Sequence, residues 1–275
     1  MSKEQLSLWD KIFIRFSRKQ KMIGWLLVIT FILYILGNFI YSKIFRVVPD
    51  ITYFLMETIE EPKEKEKILF FAPHPDDETL AGAGFIARAK QNQSEIKVIF
   101  LSDGNKRGKG KQRILEAKEA ARILGLNEDD LIFLNLEDGK LAENKGLLLK
   151  KLEEKKLKEF GPDLIILPFE NDEHSDHRIS STIEQAFKEY PKIKKLYYLV
   201  HFAGFPYPRK LKTDKFLLPP SALIFDCQWK KFPLADEEVE KKSDALYQHK
   251  TQLSVPIEKT FLLSFVRQNE LFCEK

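Results

Sequence analysis

Cysteine is nearly absent from this chain: Cys227 and Cys273 are the only two among 275 residues, which excludes a disulfide-built miniprotein and a cysteine-rich zinc module. A single bridge between them would be unremarkable in either redox compartment. Charge of one sign is missing too, because 45 basic and 41 acidic side chains leave a net +4. No field of the kind that draws a protein to nucleic acid follows from that balance, so no nucleic-acid partner is expected. Histidine is scarce, with five in all, at positions 74, 174, 177, 201 and 249, and two of them fall three residues apart. No internal repeat of the ~20–50-residue kind is visible, which excludes a solenoid. What remains is 44% hydrophobic and 31% charged, too apolar for a disordered chain and long enough for one full domain with an appendage.

One hydrophobic run stands out. Met22 to Ser42 carries no charge and matches the roughly 20 apolar residues that cross a bilayer core. It is apolar on every face and precedes any domain that could bury it, so it reads as one transmembrane helix, residues 22–42. A cleavable signal peptide would be shorter and followed by a small-residue cleavage site, which Asn38 to Phe45 lacks. Lys3, Lys11, Arg15, Arg18, Lys19 and Lys21 precede the run, whereas only Lys43 and Arg46 follow closely. The positive-inside bias therefore predicts a single-pass protein with a cytoplasmic N-terminus and an extracytoplasmic domain. Residues 1–21 form a basic segment in which Leu8, Trp9, Ile12, Phe13 and Phe16 follow the spacing of a helix lying on a membrane surface. Ile44, Val47, Ile51, Leu55 and Ile59 extend an apolar stripe that either rests on the bilayer or packs on the domain. Residues 43–67 read as a juxtamembrane segment and charged linker, ending in Glu57 to Lys67, and residues 68–275 as one domain.

Within that domain, short apolar runs alternate with amphipathic stretches. Ile68–Ala72, Ile96–Ser102, Leu131–Leu136, Leu164–Phe169 and Leu196–Phe202 have the continuous β-rich character of strands buried on both faces. Glu78–Gln91, Lys111–Leu124, Lys145–Phe160 and Asp176–Glu189 read as helices, with Gly125 and Gly161 as stops. The series predicts an α/β fold: a Rossmann-like, open, mostly parallel sheet flanked by helices, with its chemistry at the carboxyl ends of the strands.

Two loops deliver chemistry to that edge. The first strand runs into Pro73-His74-Pro75-Asp76-Asp77-Glu78, where the prolines stiffen the chain and a histidine and a carboxylate three residues apart can turn to one cation. Asp76 is then free to act as a base, although Asp76 or Asp77 could instead cap the following helix. The fourth strand ends in Asn171-Asp172-Glu173-His174-Ser175-Asp176-His177. His74, Asp77 and either His174 or His177 would make a catalytic zinc centre of three protein ligands plus water, the remaining histidine donating to a developing oxyanion. Asp176 would orient a histidine or cap the next helix. After the second strand, Asp103 to Arg113 is a glycine-bearing loop with five basic residues, Arg107 among them, suited to a phosphate or to plain solvent. Gly82 and Gly84 are better explained by helix–sheet contact than by dinucleotide binding. His201, at the end of the fifth strand, would line the pocket or serve the structure, and the structural reading is preferred for it and for His249. Phe202 to Tyr207 would stack on a sugar ring or pack the loop.

These motifs resemble the PIG-L or LmbE-like N-deacetylases, zinc enzymes that remove acetyl from N-acetylglucosamine units. The resemblance is carried by Pro73 to Glu78, by His174-Ser175-Asp176-His177, and by Arg113 and Glu116 with Ala120 and Leu124-Gly125. It covers about Lys67 to Phe202, with a looser echo in Lys242, Ala245, Leu246, His249 and Gln252. It implies one Zn²⁺ per chain on His74, Asp77 and His177, with Asp76 as general base, His174 as electrophile or general acid, and Arg113 as a substrate contact. A tyrosine that precedes the second motif in some relatives is replaced by Asp172 and Phe169 in this chain. The expected activity is removal of the N-acetyl group from an N-acetylglucosamine-type sugar, on a lipid or phosphate carrier that Arg107 would help hold. The rivals are a metal-dependent phosphoesterase and a catalytically inactive, membrane-tethered glycan-binding module.

Overall fold

Strand β2 (Lys67–Ala72) is apolar along five of its six residues and all five are buried, because helices cover both faces of the sheet at this point. Around it a computed structural model, which describes residues 17–45 and 48–275, builds an eight-stranded sheet. The other strands are β1 (Glu57–Thr58), β3 (Glu95–Ser102), β4 (Leu131–Leu136), β5 (Leu164–Pro168), β6 (Lys194–Tyr198), β7 (Gln228–Pro233) and β8 (Asn269–Glu274). Their order is β1-β7-β8-β6-β5-β2-β3-β4, parallel throughout except that β8 runs antiparallel between β6 and β7. The chain first winds outward from β2 through β3 to β4, then crosses back to place β5 on the other side of β2, in register from Ile68 opposite Leu164. The strand order therefore reverses between β2 and β5, the position where α/β sheets open a ligand crevice.

The helices that follow the strands are α3 (Asp77–Gln91), α4 (Gly110–Ile123), α5 (Lys145–Glu154) and α6 (Ser175–Ser181); α7 (Asp236–Leu246), α8 (Lys250–Leu253) and α9 (Pro256–Leu263) close the C-terminal part. Two helices are shorter than their sequence pattern predicts. α5 stops at Glu154 rather than reaching Phe160, since Lys156 turns left-handed (φ 51°) and carries Leu157 into the core. In α6, the hydroxyls of Ser180, Ser181 and Thr182 bond back to carbonyls of the preceding turn, and the chain tightens into a 3₁₀ helix over Thr182–Phe187.

α3 is kinked at Gly82, and small residues are required there. A Cβ on Gly82 would lie 2.4 Å from the Phe70 ring, and one on Gly84 would lie 2.3 Å from Leu234. The kink frees the amides of Gly84 and Phe85, which both donate to the buried Glu270 carboxylate at 2.8 Å. Lys242 Nζ, also fully buried, pairs with Glu270 at 2.7 Å. Lys242→Met is expected to destabilise the fold by about 3–5 kcal/mol, because it leaves a buried carboxylate without its cation; denaturant titration measures it, and an unchanged midpoint would refute the coupling.

Chain contacts separate the protein into two units, Met1–Val47 and Val48–Lys275. The first contains α1 (Arg18–Phe45), of which Arg18–Ile40 is long and apolar enough to cross a membrane. The expected surface helix through Leu8, Trp9, Ile12, Phe13 and Phe16 lies outside the described residues, as do Val47 and the side chain of Ile44. In the second unit, the short helix α2 (Ile51–Leu55) precedes β1, which pairs with Lys230 and Lys231 of β7. Cys227 and Cys273 form a disulfide between the start of β7 and β8.

Candidate active site

β2 ends at Ala72, and its loop turns into α3 through an unusual backbone conformation. Asp76 has φ 149°, a value that L-residues rarely adopt and that persists at functional sites when the surroundings enforce it. It occupies the N-cap position of α3 without making a capping hydrogen bond. Its carboxylate turns instead to Arg113 Nη2, at 3.0 Å. On the neighbouring strand, the β5 loop brings in the second motif, so the two segments meet across the point where the strand order reverses.

The rings of His74 and His177 lie 5.4 Å apart, and Asp77 Oδ2 sits between them, 3.2 Å from His74 Nδ1 and 3.2 Å from His177 Nε2. Ligands held at about 2.0–2.1 Å by a tetrahedral ion lie about 3.3 Å from one another, which is the spacing of Asp77 Oδ2 from each of the two ring nitrogens. His177 is fully buried, with Nε2 facing Asp77 and Nδ1 facing Asp172. The nitrogens turned away from the shared centre face acids. His74 Nε2 lies 3.3 Å from both Asp138 and Asp176, and His177 Nδ1 lies 3.2 Å from Asp172. A carboxylate behind each ring is the arrangement that orients metal-binding imidazoles and raises their basicity. Among the described residues, the groups of three donors that all lie within 4.8 Å of one another are His74, His174 and His177; Asp77, His177 and His201; and His74, Asp138 and Asp176, so that His74 and His177 recur across overlapping groups that also take in Asp77.

Electrostatics follow from this packing. Burial alone would lower His74, but Asp138, Asp176 and Asp77 together hold it well above the usual imidazole range. Burial also opposes the charge on His177, and Asp77 and Asp172 outweigh it and raise the ring to about 9. Asp77 stays well below the usual carboxylate range: burial pushes it up, and His177 and His74 more than reverse that. Asp76 is different, since burial lifts it to about 6 against the pull of Arg113. His174 is lowered to about 4 by burial and by the neighbouring His74 and His177.

His174 sits at the N-cap of α6, 4.7 Å ring to ring from His74, and its Nδ1 accepts the Asp176 backbone N–H at 3.3 Å. Asp176 does not cap α6. Its carboxylate accepts N–H bonds from Gly139 (2.8 Å) and Leu141 (3.1 Å) and thereby ties the β4 loop to His74. Arg113 is buried, donates to the Pro75 carbonyl at 3.0 Å, and stands between Asp76 and Asp138. Arg107, by contrast, is exposed and paired with Glu258 of α9.

These groups open into a cavity of about 600 Å³ whose far wall is C-terminal, formed by Thr251, Val255, Phe261 and Leu262, with Lys106, Arg107 and Lys109 on its basic side. Phe261 supplies the aromatic surface there, whereas Phe205, expected near the sugar, is buried against Phe265. Two residues have no role in the sequence reading, and a third, His201, is weighed there as pocket-lining with the structural role preferred. Asp138 follows β4, which carries no recognisable motif. Asp172 lies in the quoted loop but had no assigned role; it accepts the backbone N–H groups of His174, Val200 and His201. His201, taken as structural, lines the cavity 4.8 Å from the His177 ring, and burial with the His177 charge lowers it to about 3. His249 is fully buried and bonds to Thr79 at 3.1 Å.

Comparison with known proteins places these features. Over 78 residues the chain is 37% identical to a protein named probable N-acetylglucosaminyl-phosphatidylinositol de-N-acetylase from Dictyostelium discoideum; the match takes in 27% of this chain and only 30% of that relative's length. The fold resembles N,N'-diacetylchitobiose deacetylase from Pyrococcus horikoshii, with TM-score 0.52 and 21% identity over 75% of this chain and 82% of that one. It also resembles the A40926 pseudoaglycone deacetylase, with TM-score 0.57 and 17% identity over 77% of this chain and 97% of the other. Residues 69–187, which contain His74, Asp76, Asp77, Arg113, His174 and His177, match the family described as PIG-L, GlcNAc-PI de-N-acetylase.

Proposed function

We propose that this protein is a metal-dependent N-deacetylase, tethered to a membrane by α1, that hydrolyses the acetamide of an N-acetylglucosamine-type sugar. The observation that carries the reading is the convergence of His74 Nδ1, Asp77 Oδ2 and His177 Nε2, with a separate carboxylate, Asp76, beside them. His74, Asp77 and His177 would hold one Zn²⁺ per chain. Bound there, the ion supplies Lewis acidity: it lowers the pKa of water toward about 7 and polarises the acetamide carbonyl.

The remaining work falls to the chain. Asp76, at about 6, is ionised at neutral pH and close enough to that value to take a proton from water and release it later. Arg113 holds the Asp76 carboxylate in place and offers a guanidinium edge to the sugar. Because His174 Nδ1 accepts the Asp176 N–H, its hydrogen resides on Nε2, so even the neutral ring can donate to the carbonyl oxygen as negative charge gathers there. Hydrolysis then yields acetate and the free amine, with the proton taken by Asp76 passed to the departing nitrogen. Asp172 and Asp176 act as positioning residues behind His177 and His74.

The basic side of the cavity supports a phosphate-bearing carrier, and a lipid-borne one suits an enzyme tethered to a membrane. The test is acetate release from free, polymeric and lipid-diphosphate-linked N-acetylglucosamine. Arg107→Ala is expected to raise KM for the phosphate-bearing substrate about tenfold, a charged hydrogen bond's contribution, and to leave the free sugar unaffected; equal effects on both would remove the carrier from the account. The excess of basic residues on the N-terminal side of the apolar run supports an extracytoplasmic domain. A membrane-impermeant protease should then cut the domain in intact cells, and complete protection would reverse the orientation.

A further inference from the structure

Helix α2 is fastened to its unit along one edge and bare along the rest. Tyr53 stacks on Phe216 with ring centroids 3.7 Å apart and planes 6° from parallel, and Lys231 Nζ lies 4.4 Å over the Tyr53 ring while donating to its carbonyl. Val48, Met56 and Ile59 on either side are buried. Yet Ile51, Phe54 and Leu55 are 60%, 65% and 78% exposed. Three large apolar side chains grouped on one short, firmly held helix mark a binding surface rather than scattered exposure. Of the apolar stripe read from the sequence, Ile59 thus packs inward and Ile51 and Leu55 do not.

Two observations identify what covers them. Only residues 46–50 separate the end of the apolar helix at Phe45 from Ile51, and the covalent chain over that stretch reaches at most about 20 Å. Wherever the span leaves the hydrocarbon, α2 is therefore within reach of the headgroup layer. The segment that carries Phe216 also exposes Tyr207, Arg209, Lys210 and Leu211. Aromatic, aliphatic and basic side chains mixed in this way suit the boundary between headgroups and acyl chains, whereas the centre of a protein interface is depleted of charge.

We propose that Ile51, Phe54 and Leu55 form a ledge that rests in the bilayer surface, with Arg209 and Lys210 toward anionic headgroups. The inference rests on reading Arg18–Ile40 as a membrane span. It also gives the substrate a route. Arg209 lies 5.2 Å over the ring of Phe261, which lines the cavity, and the buried Arg267 guanidinium holds the Pro208 and Lys212 carbonyls at 2.6 and 2.8 Å. One braced segment thus connects the ledge to the cavity wall.

Because the native cysteines are joined, Leu55→Cys introduces a single thiol for an NBD fluorophore. The labelled full chain is reconstituted into phosphatidylcholine–phosphatidylglycerol vesicles with and without brominated acyl chains, beside Glu154→Cys on α5 as the control. The ledge predicts blue-shifted emission at position 55 and at least about twofold stronger bromine quenching than at 154. Emission at 55 that matches 154, in protein that still floats with the vesicles, overturns the ledge and leaves the span intact. Failure to float overturns the span itself. A blue shift at 55 that vanishes as the chain is diluted in lipid assigns the patch to a second copy and also overturns the proposal.

Discussion

Asp76→Asn is expected to lower kcat for acetate release by about 10²–10⁴, the usual contribution of a positioned general base, with metal content unchanged. Asparagine suits the test because it keeps the size and shape of the side chain, so the change is confined to the carboxylate's charge and basicity. The loss arises because the amide can still accept from Arg113, 3.0 Å away in the native pair, but has no basic oxygen to receive a proton. Asp76 is not among the converging donors, and so the ion stays. A variant that releases acetate at the native rate would remove Asp76 from the chemistry; one that loses the ion would make it a ligand.

The second large effect concerns His177. His177→Ala removes the donor at the centre of the site and is expected to abolish both stoichiometric metal binding and turnover, while thermal unfolding confirms a folded chain. His177→Gln, which fills the space better, should behave likewise. Asp172→Asn keeps the ligand and alters only the group behind it, 3.2 Å from Nδ1, so metal affinity should fall about 10–100-fold rather than vanish. His201→Ala is the discriminating control, because His201 belongs to an alternative donor group with Asp77 and His177. Retention of the ion in that variant supports His74 as the third ligand; its loss would transfer the role to His201.

Much of this was legible in the sequence, for physical reasons. β2 and β5 are buried on both faces and so read as unbroken apolar runs, and their loops carry dense polar motifs that a solvent-facing turn has no need to contain. Proline on both sides of His74 and two histidines within four residues of each other announced chemistry before any fold was known. The C-terminal part was less legible because β7, Gln228-Trp229-Lys230-Lys231-Phe232-Pro233, lies toward the sheet edge and carries polar residues that blur its period. The partnership of Lys242 with Glu270 spans residues far apart along the chain and rests on the kink at Gly82. Asp138 was hidden, and His201 pointed to structure before pocket, for a similar cause: each follows a strand whose loop has no motif, and only the sheet order brings both beside His74 and His177. The choice between His174 and His177 as third ligand was open from the residues alone. The structure sets both beside His74 in one group of close donors; His177 is the proposed ligand because its Nε2 also lies 3.2 Å from Asp77 Oδ2, while His174 Nδ1 accepts a backbone N–H.

The most direct measurement pairs elemental analysis of the purified full-length protein with acetate release from an N-acetylglucosamine glycolipid, before and after chelation. The account predicts one divalent ion per chain, acetate and free amine in equal amounts, loss of both on chelation, and recovery when Zn²⁺ is returned. Two ions per chain with phosphate rather than acetate as the product, or acetate release that survives complete removal of the ion, would contradict it.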